Sequence, residues 1–157
     1  MLNKLKTSNN KGFTIIEVMI VLAIAGLIIL IVLLAVPALQ RNGRNTAIKN
    51  DVSAVTAAIN EYKSNNEGEV PTNVQSSGST VTVTGTGTAA EGKIQSGTDV
   101  SIATAPGTSA GVVQVLLQKK CTNSTSFTPQ ATTNKRSVMI IYNIETSSGV
   151  APRCIDA

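Results

Sequence analysis

A scissile dipeptide and a lone carboxylate are the residues at the start of this chain whose types and spacing suit chemistry. Gly12-Phe13 sets a small residue before a bulky apolar one, directly after Lys11, where a polar leader meets an apolar run. That arrangement reads as a cutting place on the cytoplasmic side of a membrane. Glu17 follows near the start of an otherwise uncharged stretch, and a carboxylate there costs on the order of 3 kcal/mol in a membrane helix unless something compensates it. A cut after Gly12 would create an α-amino cation on Phe13, one helical turn from Glu17. The two charges could compensate each other within one chain. Between chains, the amine of an incoming copy could pair with Glu17 of a copy already in place, turning a burial penalty into an assembly signal.

Outside that segment the chemistry is sparse. Histidine is absent from the 157 residues, which removes the usual general base of nucleophilic triads and the commonest metal ligand. Glu91, Asp99 and Asp156 are read as scattered among loops, with no calcium-loop or paired-carboxylate spacing. No catalytic residue, metal site or cofactor is expected, so the chain is read as no enzyme. Cys121 and Cys154 lie far beyond the apolar run, on the side expected to be translocated, which favours a disulfide; two unpaired buried thiols are the alternative. A bridge closing that loop would stabilise the domain by roughly 4 kcal/mol in the chain-entropy model. The formal charge of +4 includes Lys4, Lys6 and Lys11 before the apolar run, a topology signal that holds that end in the cytoplasm.

The element that must carry Glu17 is a helix. Residues 18–39 contain no charge and would span about 33 Å at 1.5 Å per residue, enough for the hydrocarbon core of a bilayer. A secretory signal has a shorter apolar core of about 7–15 residues, although Val36-Pro37-Ala38 could pass for its cleavage site. A plain uncleaved anchor gives Glu17 no purpose.

The segment KGFTIIEVMIVLAIAGLIILIVLLAVPAL resembles the N-terminal signature of type IV prepilins and the related pseudopilins. The resemblance covers about residues 11–39. It implies that a prepilin peptidase cuts after Gly12, that Phe13 is N-methylated, and that Glu17 serves subunit docking. Gly26 and Pro37 look like the family's glycine and proline that bracket a stretch able to lose helical structure in the fibre. Independently, Pro37 cannot donate to the Leu33 carbonyl, so a weak point or kink is expected there. The leader, residues 1–12, is longer than the family's shortest.

Beyond Pro37 the pattern becomes amphipathic. Ile48, Val52, Val55, Ile59 and Tyr62 recur at helical spacing and predict an apolar stripe, with Lys49, Asn50, Ser53, Asn60 and Lys63 on the wet side. The helix is expected to stop near residues 65–68, with Gly68 as its C-terminal cap and Pro71 preventing resumption. From Phe13 that is about 80 Å of helix. Residues 72–108, rich in Gly, Ser and Thr, read as loop with small edge strands. Two stronger strands are expected at residues 111–118 and 137–145, after which Ser147-Ser148-Gly149 turns the chain back toward Cys154.

The resulting expectation is α+β: a pilin fold with a long N-terminal helix on a small antiparallel sheet. Its divisions are a basic leader (1–12), a transmembrane and filament-core helix (13–39), an amphipathic continuation (40–67) and a β-sheet head (68–157). A bridge from Cys121 to Cys154 would resemble the disulfide-bounded C-terminal loop of many type IV pilins. The resemblance implies a structural subunit, first a single-pass precursor in the cytoplasmic membrane and then part of an extracellular pilus. Its partners would be copies of itself in a helical filament, the prepilin peptidase, the pilus assembly machinery and, before assembly, the membrane. A type II secretion or competence pseudopilin, or a minor pilin, is the alternative. Lys119-Lys120 and Lys135-Arg136 could attract DNA phosphates, but without aromatic residues interleaved for base stacking they read as solvated pairs; only Phe127 is near.

Overall fold

The structure, a computed structural model, describes residues 12–157 apart from 96, 108, 110 and 123–128. Lys4, Lys6, Lys11 and Phe127 therefore lie outside the described residues. The chain divides into two compact units between Leu39 and Gln40.

One helix, α1 (Ile15–Asn65), passes through Gly26 and Pro37 without ending. It begins two residues after Phe13, where Thr14 caps it. In the first unit its apolar side chains point in every direction and remain exposed, Ile16 at 66% and Leu34 at 75%. A helix that is apolar all round has no wet face to give to water, so it is stable only when lipid or other chains cover it.

In the second unit the expected stripe is the buried face: Ile48, Val52, Val55, Ile59 and Tyr62 are all in the core, with Ala58 and Asp51 beside them. The helix closes on a backbone bond from Gly68 N–H to the Lys63 carbonyl at 2.7 Å. That bond spans five residues, as in a Schellman ending, where the left-handed residue precedes the donor. Glu67, at φ 55°, fills that position, and Gly68, expected to be the cap, follows it at φ 82°.

A seven-stranded sheet covers the stripe. Its strands are β1 (Asn73–Ser77), β2 (Thr80–Thr84), β3 (Ala90–Lys93), β4 (Asp99–Ile102), β5 (Val112–Leu117), β8 (Val138–Thr146) and β9 (Gly149–Asp156), in the order β3-β2-β1-β4-β5-β8-β9. A separate short ladder joins β6 (Lys119–Lys120) to β7 (Gln130–Ala131). Neighbours are antiparallel except β4 and β5, which run parallel. Residues 72–108 are thus more than loop with small edge strands: they supply four strands, only one of which is an edge and one of which is central. Each reads weakly because only one face is apolar, as in β2, where Val81 and Val83 are buried between threonines. Glu91, Asp99 and Asp156 accordingly sit on strands and not in loops.

The outward face changes character across the sheet. One row of paired residues runs Glu91, Thr82, Gln75, Ser101, Gln114, Ile141 and Cys154. It is polar over five strands and apolar over the last two. The apolar end, Leu116, Met139, Ile141 and Cys154, is buried as a second small core with Cys121 packed against it. Cys121 and Cys154 are joined as a disulfide with Cα atoms 6.0 Å apart, so the bridge itself covers this outer patch.

Two asparagines fasten the helix to the sheet by engaging both polar groups of a strand or loop residue. Asn45 donates to the Glu145 carbonyl at 2.8 Å and accepts its N–H at 2.7 Å. Asn66 does the same to Thr88, at 2.9 and 2.7 Å. Beside Asn45, the Arg44 guanidinium makes a two-pronged contact with the Glu145 carboxylate at 2.7 and 2.6 Å. Those hydrogen bonds hold the Glu145 carboxyl below its ordinary range, with the charges of Arg44 and Arg41 adding to the effect.

Candidate functional site

The start of α1 is built by one hydroxyl. Thr14 is the N-cap: the Glu17 N–H is shared between its Oγ1 at 3.3 Å and its carbonyl at 3.2 Å, and that carbonyl also accepts the Val18 N–H at 3.3 Å. The hydroxyl thus gives a donor of the first turn a second acceptor besides the backbone. Gly12, Phe13 and Thr14 consequently lie outside the helix and are exposed, Phe13 at 83%. A side chain at Gly12 would meet nothing within 4 Å among the described residues, so packing against them does not require a glycine there.

Glu17 occupies the third helical position, where a carboxylate also suits the positive end of the helix dipole. It faces an open groove of about 340 Å³ lined by Phe13, Glu17, Val18, Val21 and Leu22. The structure therefore brings the two residues of the expected charge pair, Phe13 and Glu17, to one apolar groove. Gly26 and Pro37 lie farther along the helix interior. Cys121 and Cys154 belong to the second unit and act on the sheet.

Sequence reasoning missed Thr14, although the signal was present. Thr14-Ile15-Ile16-Glu17 has the spacing of a capping box directly before an apolar run,. It also missed Asp51, a carboxylate 3% exposed in the second unit. Asp51 lines a space of about 320 Å³ with Arg44, Gln95, Thr98, Asn143 and Glu145. Its two oxygens accept from the Gln95 N–H and the Thr98 hydroxyl, so it anchors the loop between β3 and β4. Among the described residues, no group of three or more His, Cys, Asp or Glu side chains could hold a metal ion.

Residues 7–33 match the family described as the prokaryotic N-terminal methylation motif. The chain matches no curated protein and no solved structure. The matched span includes Gly12, Phe13, Thr14, Glu17 and Gly26 and ends before Pro37. Proteins of that motif are structural and not catalytic, and the motif implies processing by prepilin peptidase and assembly into pili or pseudopili. Together with the one helix among the described residues that is long and apolar enough to cross a membrane, it fits a membrane-anchored precursor. The match at residues 7–33 thus supports a type IV prepilin-like class III signal, and with it a type IV pilin-like or pseudopilin protein.

Proposed function

We propose that this chain is a structural subunit of a type IV pilus, cut between Gly12 and Phe13, N-methylated on Phe13, and polymerised through residues 13–39. The observation that carries the reading is the matched motif at residues 7–33 leading into the stretch of α1, up to Leu39, whose large apolar side chains are all exposed. Lipid covers those side chains in the precursor, and the helices of other copies cover them in the filament. On transfer from one to the other Glu17 leaves the solvated membrane surface, and the α-amino group of a neighbouring Phe13 compensates its charge and sets axial register. Gly26 and Pro37 are the places where the helix yields as copies pack. The β-sheet unit coats the outside, with the Cys121–Cys154 bridge sealing its outer patch.

The N-terminal mass of the mature protein from its native host tests the processing. A chain beginning at N-methylated Phe13 supports the reading; a start at Leu39 or an uncut Met1 overturns it. Glu17→Ala should insert into the membrane normally and yield no normal filaments; normal filaments would sink the proposed role of Glu17. Abundance of the chain in isolated filaments separates a major subunit from a minor pilin or pseudopilin, which carry the same motif.

A further inference from the structure

We infer that Thr14 is a positioning residue for the cut: by capping α1 it keeps the Gly12–Phe13 peptide bond out of the helix and available to the peptidase. The inference rests on the processing proposed above.

The scissile bond stands two residues before a helix of 51 residues. A helix that long extends readily at its end, because each added residue gains one backbone hydrogen bond once nucleation is complete. Nothing beyond Thr14 blocks extension: Phe13 is compatible with a helix and Gly12 only disfavours it. A peptide bond inside a helix has its carbonyl engaged and its flanking residues wound, whereas a protease must reach both faces of an extended bond. Cleavage accordingly favours segments that are open or open easily. The Thr14 hydroxyl at 3.3 Å and the Thr14 carbonyl at 3.2 Å share the Glu17 N–H, so the hydroxyl adds to the competition against the bond that would go to the carbonyl of Phe13 as the helix wound back over it,. Gly12 and Phe13 are non-helical and exposed as a result. The small residue at position 12 then has a local purpose besides recognition, since glycine is, proline apart, the least willing residue to rejoin the helix.

The inference separates capping from recognition of threonine as such. If the cap is what matters, cleavage should follow cap preference: Ser and Asp at position 14 serve as well as Thr, while Ala and Val do not. Full-length chains carrying Thr14→Ser, Thr14→Asp, Thr14→Ala and Thr14→Val, reconstituted in membranes with a prepilin peptidase, would be assayed for initial cleavage rate. Resistance to alkaline extraction would confirm that each variant is inserted. Thr14→Ala should be cut about 5-fold more slowly, which is about 1 kcal/mol at 1.36 kcal/mol per tenfold. Thr14→Ser and Thr14→Asp should keep wild-type rates, the aspartate rescue being the outcome that recognition of a threonine side chain would not give. Equal rates for all four variants, or loss of rate in Thr14→Asp as severe as in Thr14→Ala, would overturn the inference. Failure of the wild-type chain to be cut after Gly12 would instead overturn the processing on which the inference rests.

Discussion

Two stretches of one helix meet opposite fates. Ile29 is 60% exposed and Ile59 is 0% exposed, although both are isoleucines in unbroken turns of α1. The difference lies in what surrounds them in sequence. Around Ile29 every position is apolar, so no face can be turned to water and the covering surface must come from outside the chain. Around Ile59 the large apolar residues recur only at every third or fourth position, and this chain's own sheet covers that stripe. The spacing of apolar residues thus tells which partner a helix is made for. Paired substitutions sharpen the point. Ile59→Ala should destabilise the sheet unit by about 2–5 kcal/mol, while Ile29→Ala should leave its unfolding unchanged to within about 0.5 kcal/mol. Urea unfolding of the full chain in detergent, followed by near-ultraviolet dichroism of Tyr62 and Tyr142, reads both. Equal losses from the two substitutions would erase the distinction.

The same contrast holds for the polar residues of the helix. Asn42 and Asn45 are one turn apart, but only Asn45 reaches the sheet, where it takes both backbone groups of Glu145. Replacing it leaves a partly buried donor and acceptor unpaired, and Asn45→Ala should cost about 1–3 kcal/mol. Asn66→Ala should cost less, about 0.5–1.5 kcal/mol, since Thr88 is exposed and water can replace its two lost partners, while the Tyr62 carbonyl also loses its contact with Asn66,. Asn42→Ala, on the exposed side, should stay within about 0.5 kcal/mol of the wild type. If Asn42→Ala proved as costly as Asn45→Ala, the pinning of the sheet by Asn45 and Asn66 would be wrong.

How much of this was legible follows from where each signal resides. Glu17, Gly12-Phe13 and the apolar run stand out because they contradict their surroundings at fixed spacing. The stripe from Ile48 to Tyr62 stands out because it repeats. β5 and β8 were legible within a residue or so, since each carries an unbroken apolar face, Val113, Val115 and Leu117 in one and Val138, Ile140, Tyr142 and Ile144 in the other. Strand β9 was read only as a returning tail: Pro152 interrupts its pattern, and an edge strand tolerates a proline that a central strand would not. Strands β1 to β4 were underestimated because their outward residues, such as Gln75 and Thr82, are indistinguishable from loop residues until the register aligns them. The fastening roles of Asn45, Asp51 and Asn66 were illegible. Each depends on a residue distant in sequence, as when Asn45 meets Glu145, and no local pattern announces such a pair.

The smallest expected effect lies where the externally covered stretch gives way to the internally covered one, at Arg44 and Glu145. Their side chains are 56% and 26% exposed, so solvent screens the pair and its contribution is modest. Its sign is nonetheless fixed. The hydrogen bonds from Arg44 depress the Glu145 carboxyl in the folded chain, relative to an ordinary value of 4.5. At neutral pH both folded and unfolded chains are ionised there, and the full contribution is present. As acid is added the unfolded chain takes up its proton first, and the contribution shrinks until the pH has fallen through the lower, folded value. Other carboxylates titrate in the same range, so the quantity to read is the difference between the wild type and Arg44→Gln, measured by urea unfolding at a series of pH values. That difference should be constant from neutral pH down to about 5 and should narrow below about 4.5, where Glu145 begins to protonate. Strong salt should reduce it at every pH by screening. A difference that stays constant through the acid range would mean that Arg44 holds the start of the sheet-covered stretch through its packing alone, with its charge contributing nothing.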